Sequence, residues 1–455
     1  MATKVPSKTA PQAANKATVS AKPQAAAAQS KAKPRPTKAK PVAKPLAKAR
    51  GIPVTESAPR TPRTPASALV EKPATKPAAT RTASKSVSAK PLRPAPAKVA
   101  KPPKEISPHG LVKGKHIVCF WKQNDLGLFG RRPDRWIALW EQDPTVEKVL
   151  VFETPLSHLA LEEWLKRAIT LDATSGSEYR LLLDQAVGKL QGHCDTPKTT
   201  YKTYLTPSDK PANNQDYLRW VLQQVSDQGI TSPTVVLWPA CYANAALVKA
   251  MKPKQIITDL VDDQRLFPAN AQLVPTITAQ YQMWLDMSDV VVSNSLGLIE
   301  AFSQEFDRSN IAYLPNQALA AVPAKKTAKP TSASSEKSGK AGKKRKVVGF
   351  VGNMRERMDT EALLQAMAEN PDKDFWFVGQ THGSAFFAKA RNQTNARFWG
   401  TLPQAEAEKV VAQFDVALVP FVASPLVERM SPMKQETYSS NKVPTVELSA
   451  LKGLK

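Results

Sequence analysis

Short runs of Val, Ile and Leu bounded by turn residues recur through the last three quarters of the chain. The run GKHIVCFW (114–121) passes into a loop and then an amphipathic helical stretch, KQNDLGLFGRRPDRWIALWEQ. VEKVLVFE (146–153), SPTVVLWPA (232–240), KQIITDLVDD (254–263), DVVVSNS (289–295) and IAYLPN (311–316) are further strands, with helical patterns in NAALVKAM and LGLIEAFSQEF. Short, continuously apolar strands alternating with helices predict a parallel sheet covered on both faces. After a basic insert the pattern restarts. VVGFVGN (347–353), DFWFVGQ (374–380) and DVALVPF (415–421) are strands, ARFWGTL is short and extended, and DTEALLQAMAEN and AEAEKVVAQF are helices. QETYSSN begins a helix and PTVEL is a final strand. The expected fold class is α/β, with two Rossmann-like, doubly wound parallel-sheet domains.

Charge divides the chain the same way. Residues 1–105 hold 23 Lys and Arg against 3 Glu, and residues 323–346 hold 9 against 1. These segments carry +20 and +8 of a total of +25, so the remainder is near neutral at −3. The basic pI therefore describes appendages, and it does not make the folded part a nucleic-acid binder. The expected boundaries are a disordered Lys/Ala/Pro-rich tail over 1–108, a first domain over 109–322, a basic linker over 323–346 and a second domain over 347–455. A tail so poor in aromatics cannot bury enough apolar surface to offset its ordering entropy. It reads either as a solubilising tether or as a polycation for nucleic acid or an anionic membrane surface.

Three scattered cysteines, Cys119, Cys194 and Cys241, form no CxxC pair and suit a reducing compartment. Neither a secretory signal core nor an apolar run of membrane-spanning length is visible, so the expected location is cytoplasmic. No His, Cys or carboxylate spacing predicts a metal, and no cofactor is expected.

Ligands of open α/β sheets bind beyond the carboxyl ends of the strands. After the first strand the loop offers Asp125, Gly127, Gly130 and Arg131; glycines let backbone amides approach a ligand, and the alternative is an ordinary turn with surface arginines. In the second domain, VGFVGNMRERMD places Gly352 at a strand end, with Arg355 and Arg357 as forked donors for phosphate oxygens, or else as a solvated helix start capped by Asp359. Gly379 ends the next strand. In SPMKQE, Ser431 can cap a helix with Pro432 in its first turn, which puts Lys434 and Glu436 beside it.

Taken in order, these motifs resemble the GT-B retaining glycosyltransferases, the glycosyl transferases group 1 type, over roughly residues 115–446. The N-terminal part of the resemblance rests on HIVCFWKQNDLGLFGRRPDR, DLVDD, SDVVVSNSLGLIEAF and YLPN. The C-terminal part rests on VVGFVGNMRERMD, DFWFVG, ARFWGTLP, FDVALVPF and SPMKQETYSSNKVPTV. The tail is similar to those of histone H1-like proteins. The resemblance implies a nucleotide-sugar donor held by the second domain at Gly352, Arg355, Arg357, Gly379, Lys434, Glu436 and Glu428. It implies a saccharide or lipid-linked acceptor facing Asp125, Gly127, Gly130 and Arg131. It also implies transfer with retention and without a bound metal, in polysaccharide biosynthesis. With its basic tail, the chain's expected location is the cytoplasm or the periphery of the inner face of the membrane.

The family's two glutamates are matched in spacing by Glu428 and Glu436, yet Thr437 stands at the second position when the motif is aligned on Lys434 and Tyr438. Gln317 and Asn441-Lys442-Val443 replace expected glycines, and glycine is sparse at 18 of 455 residues. The chain also ends sooner than the resemblance leads one to expect. Two alternatives follow from these departures. One is a catalytically impaired GT-B module that binds or scaffolds, tethered by its tail; the other is a nucleic-acid-associated protein acting through the tail.

Overall fold

In a computed structural model, the structure describes residues 103–206, 214–319, 345–355 and 357–453. The tail up to residue 102 and most of the 323–346 linker lie outside the described residues.

The first lobe opens with β1 (His116–Phe120), α1 (Arg132–Gln142), β2 (Lys148–Phe152) and the two-residue β3 (Leu156–Ser157). A helical pair, α2 (His158–Thr170) and α3 (Ser177–Leu190), leads to β4 (Thr199–Lys202), β5 (Leu205–Thr206) and α4 (Asn214–Asp227). The lobe then runs through β6 (Thr234–Leu237), α5 (Ala245–Ala250), β7 (Gln255–Leu260) and α6 (Val274–Met287) to β8 (Val290–Ser293), α7 (Leu296–Glu305) and β9 (Ile311–Tyr313). The second lobe comprises β10 (Lys346–Val351), α8 (Thr360–Glu369), β11 (Lys373–Val378), α9 (Ala385–Ala390), β12 (Ala396–Gly400) and α10 (Gln404–Val411). It continues with β13 (Val416–Leu418), α11 (Pro425–Glu428), α12 (Lys434–Ser440) and β14 (Thr445–Val446).

Seven strands in the order β4-β2-β1-β6-β7-β8-β9 form the first sheet, and five in the order β12-β11-β10-β13-β14 form the second. Their pairings are parallel. Each sheet grows outward from its first strand, then returns and grows the other way, which is the doubly wound Rossmann-like order. The order reverses between β1 and β6 in one lobe and between β10 and β13 in the other. At such points the flanking helices leave on opposite faces and a crevice opens beyond the strand ends. The expected α/β fold class of two Rossmann-like sheets is the one observed.

Strands such as TVVL and QIITDL are buried along their whole length because helices cover both faces. In the first lobe one core is built on Trp136, Trp140 and Val151, a second on Phe120, Phe152 and Trp284, and a third on Tyr281, Leu285 and Phe302. In the second lobe Phe350, Phe375 and Leu363 fill one face, and Val411, Phe414 and Tyr438 the other. Among the described residues no helix is long and apolar enough to cross a membrane.

Several elements differ from the sequence reading. Glu105 bridges Tyr313 in parallel fashion and the Ile106 amide donates to the Tyr313 carbonyl at 3.0 Å, so the first lobe begins before residue 109. Ser431 does not cap α12, which starts at Lys434 behind Met433. Its carbonyl instead accepts from Asn316 Nδ2 at 3.2 Å. Asp359 does cap α8, accepting from the Ala362 amide at 3.0 Å.

Candidate functional site: the crevice between the sheets

The loop after β1 is fixed from within. Asp125, 5% exposed, accepts from Trp121 Nε1 at 2.8 Å and from Arg131 Nε at 2.9 Å. Asp134, in the first turn of α1, accepts from the Gly127 and Arg131 amides at 2.8 and 2.7 Å and so closes the loop onto the helix. Burial raises the Asp134 carboxyl to about 6, against the pull of those two amides. Lys122 projects from the end of β1 over the Trp121 ring. Burial pushes its ammonium pKa down, and Asp262 only partly counters this.

Below this loop lies a buried ion pair. The Arg132 guanidinium donates through Nε to both oxygens of Asp259 at 3.1 and 2.8 Å, and both side chains are fully buried. Asp259 also accepts from Trp136 and Trp238 Nε1 at 2.9 and 3.0 Å. Arg132 Nη1 donates to Asn316 Oδ1 at 2.9 Å, and Asn316 reaches on to Ser431 of the second lobe. The acidic motif DLVDD thus splits. Asp259 anchors α1, while Asp263 is held by Arg265 and, across the lobes, by Arg429 at 2.7 Å.

In the second lobe the two strand-end glycines stack. Gly352 (φ +139°) donates its amide to the Val378 carbonyl at 2.8 Å, and Gly379 (φ +137°) donates to Gly400 at 2.8 Å. A Cβ on Gly379 would drive into the Gly352 carbonyl. Any side chain here would therefore clash, and both backbones favour glycine. Lys434 fills the space beside Gly352, where an added Cβ would stand 3.0 Å from Nζ. Its ammonium lies 4.4 Å from the Phe350 ring centre and 4.1 Å from that of Phe421. No carboxylate among the described residues pairs with it. Burial, with the Arg357 charge adding to it, holds its pKa well below the ordinary lysine value. Arg357 lies over the Phe421 ring and donates Nη1 to Met430 Sδ at 3.2 Å.

Gly352, Arg357, Gly379 and Lys434 therefore share one end of the second sheet. Arg355 turns toward the first lobe, donating Nη2 to the His382 carbonyl at 3.1 Å and facing Glu178. Glu436 is 8% exposed and is ion-paired with Arg135 of α1 across the crevice. Glu428 is exposed at the end of α11 in a groove against Gly297, Glu300 and Gln304 of α7. The two glutamates that match in spacing thus serve different contacts. Of the loop glycines, Gly127 abuts the Gln185 side chain and Gly130 that of Gln404 in α10. Both glycines permit close packing, Gly130 between lobes.

Sequence reading missed Glu178, in the first turn of α3. Burial raises its carboxyl to about 7, although Arg355 and Arg131 oppose the shift, and Gln380 hydrogen-bonds to it. Nothing in SGSEYR marks it, because its setting comes entirely from the other lobe. Tyr179 beside it stacks edge-on against His382 at 5.7 Å.

The lobes meet through glycines as well as charges. The Gly400 region receives Ser177, whose Oγ accepts from the Thr401 amide at 2.7 Å. Gly297 lets the Glu428 carbonyl approach to where an added Cβ would stand 2.5 Å away. Gly297→Val is therefore expected to wedge α11 off α7. Hydrogen exchange should read this as faster exchange of the Arg429 and Met430 amides with β7 unchanged; unaltered exchange at those amides would refute the wedge.

Among the described residues no group of three or more His, Cys, Asp or Glu side chains converges as a metal set. No protein-family model matches the chain, and no curated protein matches it. Among solved structures, it is similar to the sucrose-phosphate synthase of Thermosynechococcus elongatus, with 12% identity and a TM-score of 0.44 over 73% of this chain and 81% of that one. The UDP co-structure of S. aureus MnaA shares 10% identity and a TM-score of 0.41, over 73% and 78% of the two chains. The α,α-trehalose 6-phosphate synthase of Burkholderia multivorans shares 12% and 0.40, over 74% and 83%. At these values the likeness is one of chain course, and the two-lobed Rossmann-like architecture rests on the strand orders themselves.

Proposed function

We propose that the crevice binds a nucleotide sugar and that the protein transfers its sugar to a saccharide or lipid-linked acceptor. The observation that carries this reading is Lys434. A half-buried ammonium over two aromatic rings, with no carboxylate partner among the described residues and a second cation at Arg357 beside it, raises the energy of the empty site. A diphosphate placed against Gly352 would pair with both, and its charge would raise the depressed pKa of Lys434. Gly352 has no side chain to keep an anion from the backbone, and the reversal of strand order at β10 and β13 opens the crevice there.

In transfer, the departing nucleoside diphosphate gains negative charge as the bond to the anomeric carbon breaks. Lys434 and Arg357 are placed to stabilise that charge where it develops. The incoming hydroxyl oxygen forms the new glycosidic bond and its proton leaves with the diphosphate. Retention of configuration and independence from a metal belong to this reading through the family resemblance.

The test is a melting-temperature screen of the full chain with UDP-, GDP- and ADP-sugars. A donor at a hundred times its Kd should stabilise by about 2.7 kcal/mol. Arg357→Ala should abolish the shift while leaving the unliganded transition in place. Absence of a shift with every nucleotide sugar would overturn the reading. A second reading, binding without transfer, is favoured by the capture of Glu436 by Arg135. It predicts the same thermal shift but no release of UDP or GDP with any acceptor. For the tail we propose contact with an anionic surface, on the cytoplasmic side. Deleting residues 1–102 should remove salt-sensitive binding to DNA or anionic vesicles and spare the nucleotide effect.

A further inference from the structure

Helix α2 covers little with its apolar residues. Its 13 residues include Leu159, Leu161, Trp164, Leu165 and Ile169, yet only Ala168 is buried. A surface helix ordinarily turns its apolar stripe to the core. Here Leu159, Leu165 and Ile169 stand exposed, Ile169 at 73%. The neighbouring α3 packs beside α2 and exposes Val187 and Leu190. Leu205, also exposed, is in register with Leu156 of β3, the strand that leads into α2. Of the eight large apolar side chains exposed among the described residues, these six lie on one helical hairpin and its adjoining strand. Single exposed apolar residues are ordinary, whereas a group of them marks a contact surface.

The opposite side of α2 is already engaged. Arg167 donates Nε to Glu163 at 2.6 Å and Nη1 to the Tyr179 hydroxyl at 2.6 Å. Tyr179 in turn stacks against His382 of the second lobe. The lobe junction takes that side and leaves the other to solvent.

Successive helical residues are turned by about 100°, so Leu159, Glu162, Lys166 and Ile169 lie within about 80° of one another on the free side. Glu162 and Lys166 are exposed, and neither is ion-paired among the described residues. Their order has a symmetry. Leu159 and Ile169 are equidistant from Trp164 along the helix, and so are Glu162 and Lys166. An antiparallel second copy of α2, related by a two-fold axis, sets each Glu162 level with the other copy's Lys166. It also sets each Leu159 level with the other copy's Ile169. Such self-complementarity is what a two-fold interface requires.

A lipid surface matches this face less well. Residues 158–195 hold 4 Lys and Arg against 6 Asp and Glu, a net of −2. An anionic leaflet repels that charge, and a bilayer offers Glu162 no counter-charge.

We propose that two copies of this chain associate through the outer face of α2 and α3, antiparallel about α2, with Glu162 of each opposite Lys166 of the other. The surface lies outside the crevice and does not rest on the nucleotide-sugar reading.

Sedimentation velocity of the full chain at about 100 μM and below should show a dimer whose fraction rises with concentration. Ile169→Glu should weaken it about tenfold or more, since it sets a carboxylate in the apolar contact. Glu162→Lys alone and Lys166→Glu alone should each weaken it about tenfold, because each sets like charges level in both halves of the interface. Mixed in equal amounts, these two single variants should associate with each other as the wild type does, every apposed pair then being opposite in charge. That rescue carries the test should Ile169→Glu fail to fold, and a variant that is merely destabilised does not produce it. A wild type that stays monomeric, a dimer indifferent to all three substitutions, or mixed variants that do not pair would each overturn the proposal. So would monomers that float with neutral or anionic vesicles and lose that binding in Ile169→Glu, a result that gives the face to lipid.

Discussion

Arg132→Met is expected to destabilise the first lobe by about 3–5 kcal/mol, the range for removing one partner of a buried pair. At about 2–4 °C per kcal/mol for a domain of this size, the melting temperature should fall by about 10 °C. The pair itself adds little net stability over an apolar replacement. The cost arises because Asp259 keeps its charge and loses the guanidinium that faces both its oxygens. The tryptophan donors Trp136 and Trp238 remain but carry no full charge. Arg132→Met/Asp259→Asn should therefore recover part of the loss, because the neutral amide no longer strands a charge. If the single variant melts with the wild type, or the double variant is no better than the single one, this account of the hub is wrong. The consequence for the site is direct. Arg132 opens α1 beneath the loop of Asp125 and Arg131, and it holds Asn316, which bonds Ser431.

Lys434→Met is expected to weaken nucleoside-diphosphate binding by about tenfold to a hundredfold, the worth of one or two charge-assisted hydrogen bonds. The same substitution should leave the unliganded protein as stable at neutral pH, or more so. The sign follows from linkage. Lys434 has a depressed pKa in the folded state and an ordinary one when unfolded. Between those two values the unfolded chain binds more protons, so this group's destabilising effect is full at low pH and relieved as pH rises toward 10.5. Wild-type stability should therefore gain on Lys434→Met with increasing alkalinity, and nucleotide binding, by raising the Lys434 pKa, should take up protons from buffer over the pH range between its free and bound values. Calorimetry in two buffers of different ionisation enthalpy measures that uptake. A variant that binds nucleotide normally, or is destabilised at pH 7, would contradict the assignment.

Much of this architecture is written in local pattern. Runs such as VEKVLVFE and SPTVVLWPA are apolar at every position, which only a strand covered on both faces can use, and helices between them force parallel pairing. The restart at residue 347 after a basic insert marks the second sheet for the same reason. Gly352 and Gly379 are legible too, because each ends a strand where the chain must turn with positive φ. The helical pair α2 and α3 and the edge strand β4 escaped notice. Their apolar positions are interrupted by polar ones, and β4 reads TTYK, a pattern with little burial to signal it.

Sequence by itself determined the two doubly wound sheets and the charged appendages, and it singled out Gly352, Arg357 and Lys434 as candidates; the tertiary structure set Lys434 beside Gly352 and placed it with Arg357 over the Phe421 ring. Tertiary structure alone decided the partners. It gave Glu436 to Arg135 and Glu428 to a groove beside α7, although their spacing suggested a common task. It also set Glu178 against Arg355. Periodicity reports which face of an element is buried, a property of neighbours along the chain. A charge's partner is settled by which lobe closes on it, and no window of local sequence contains that other lobe.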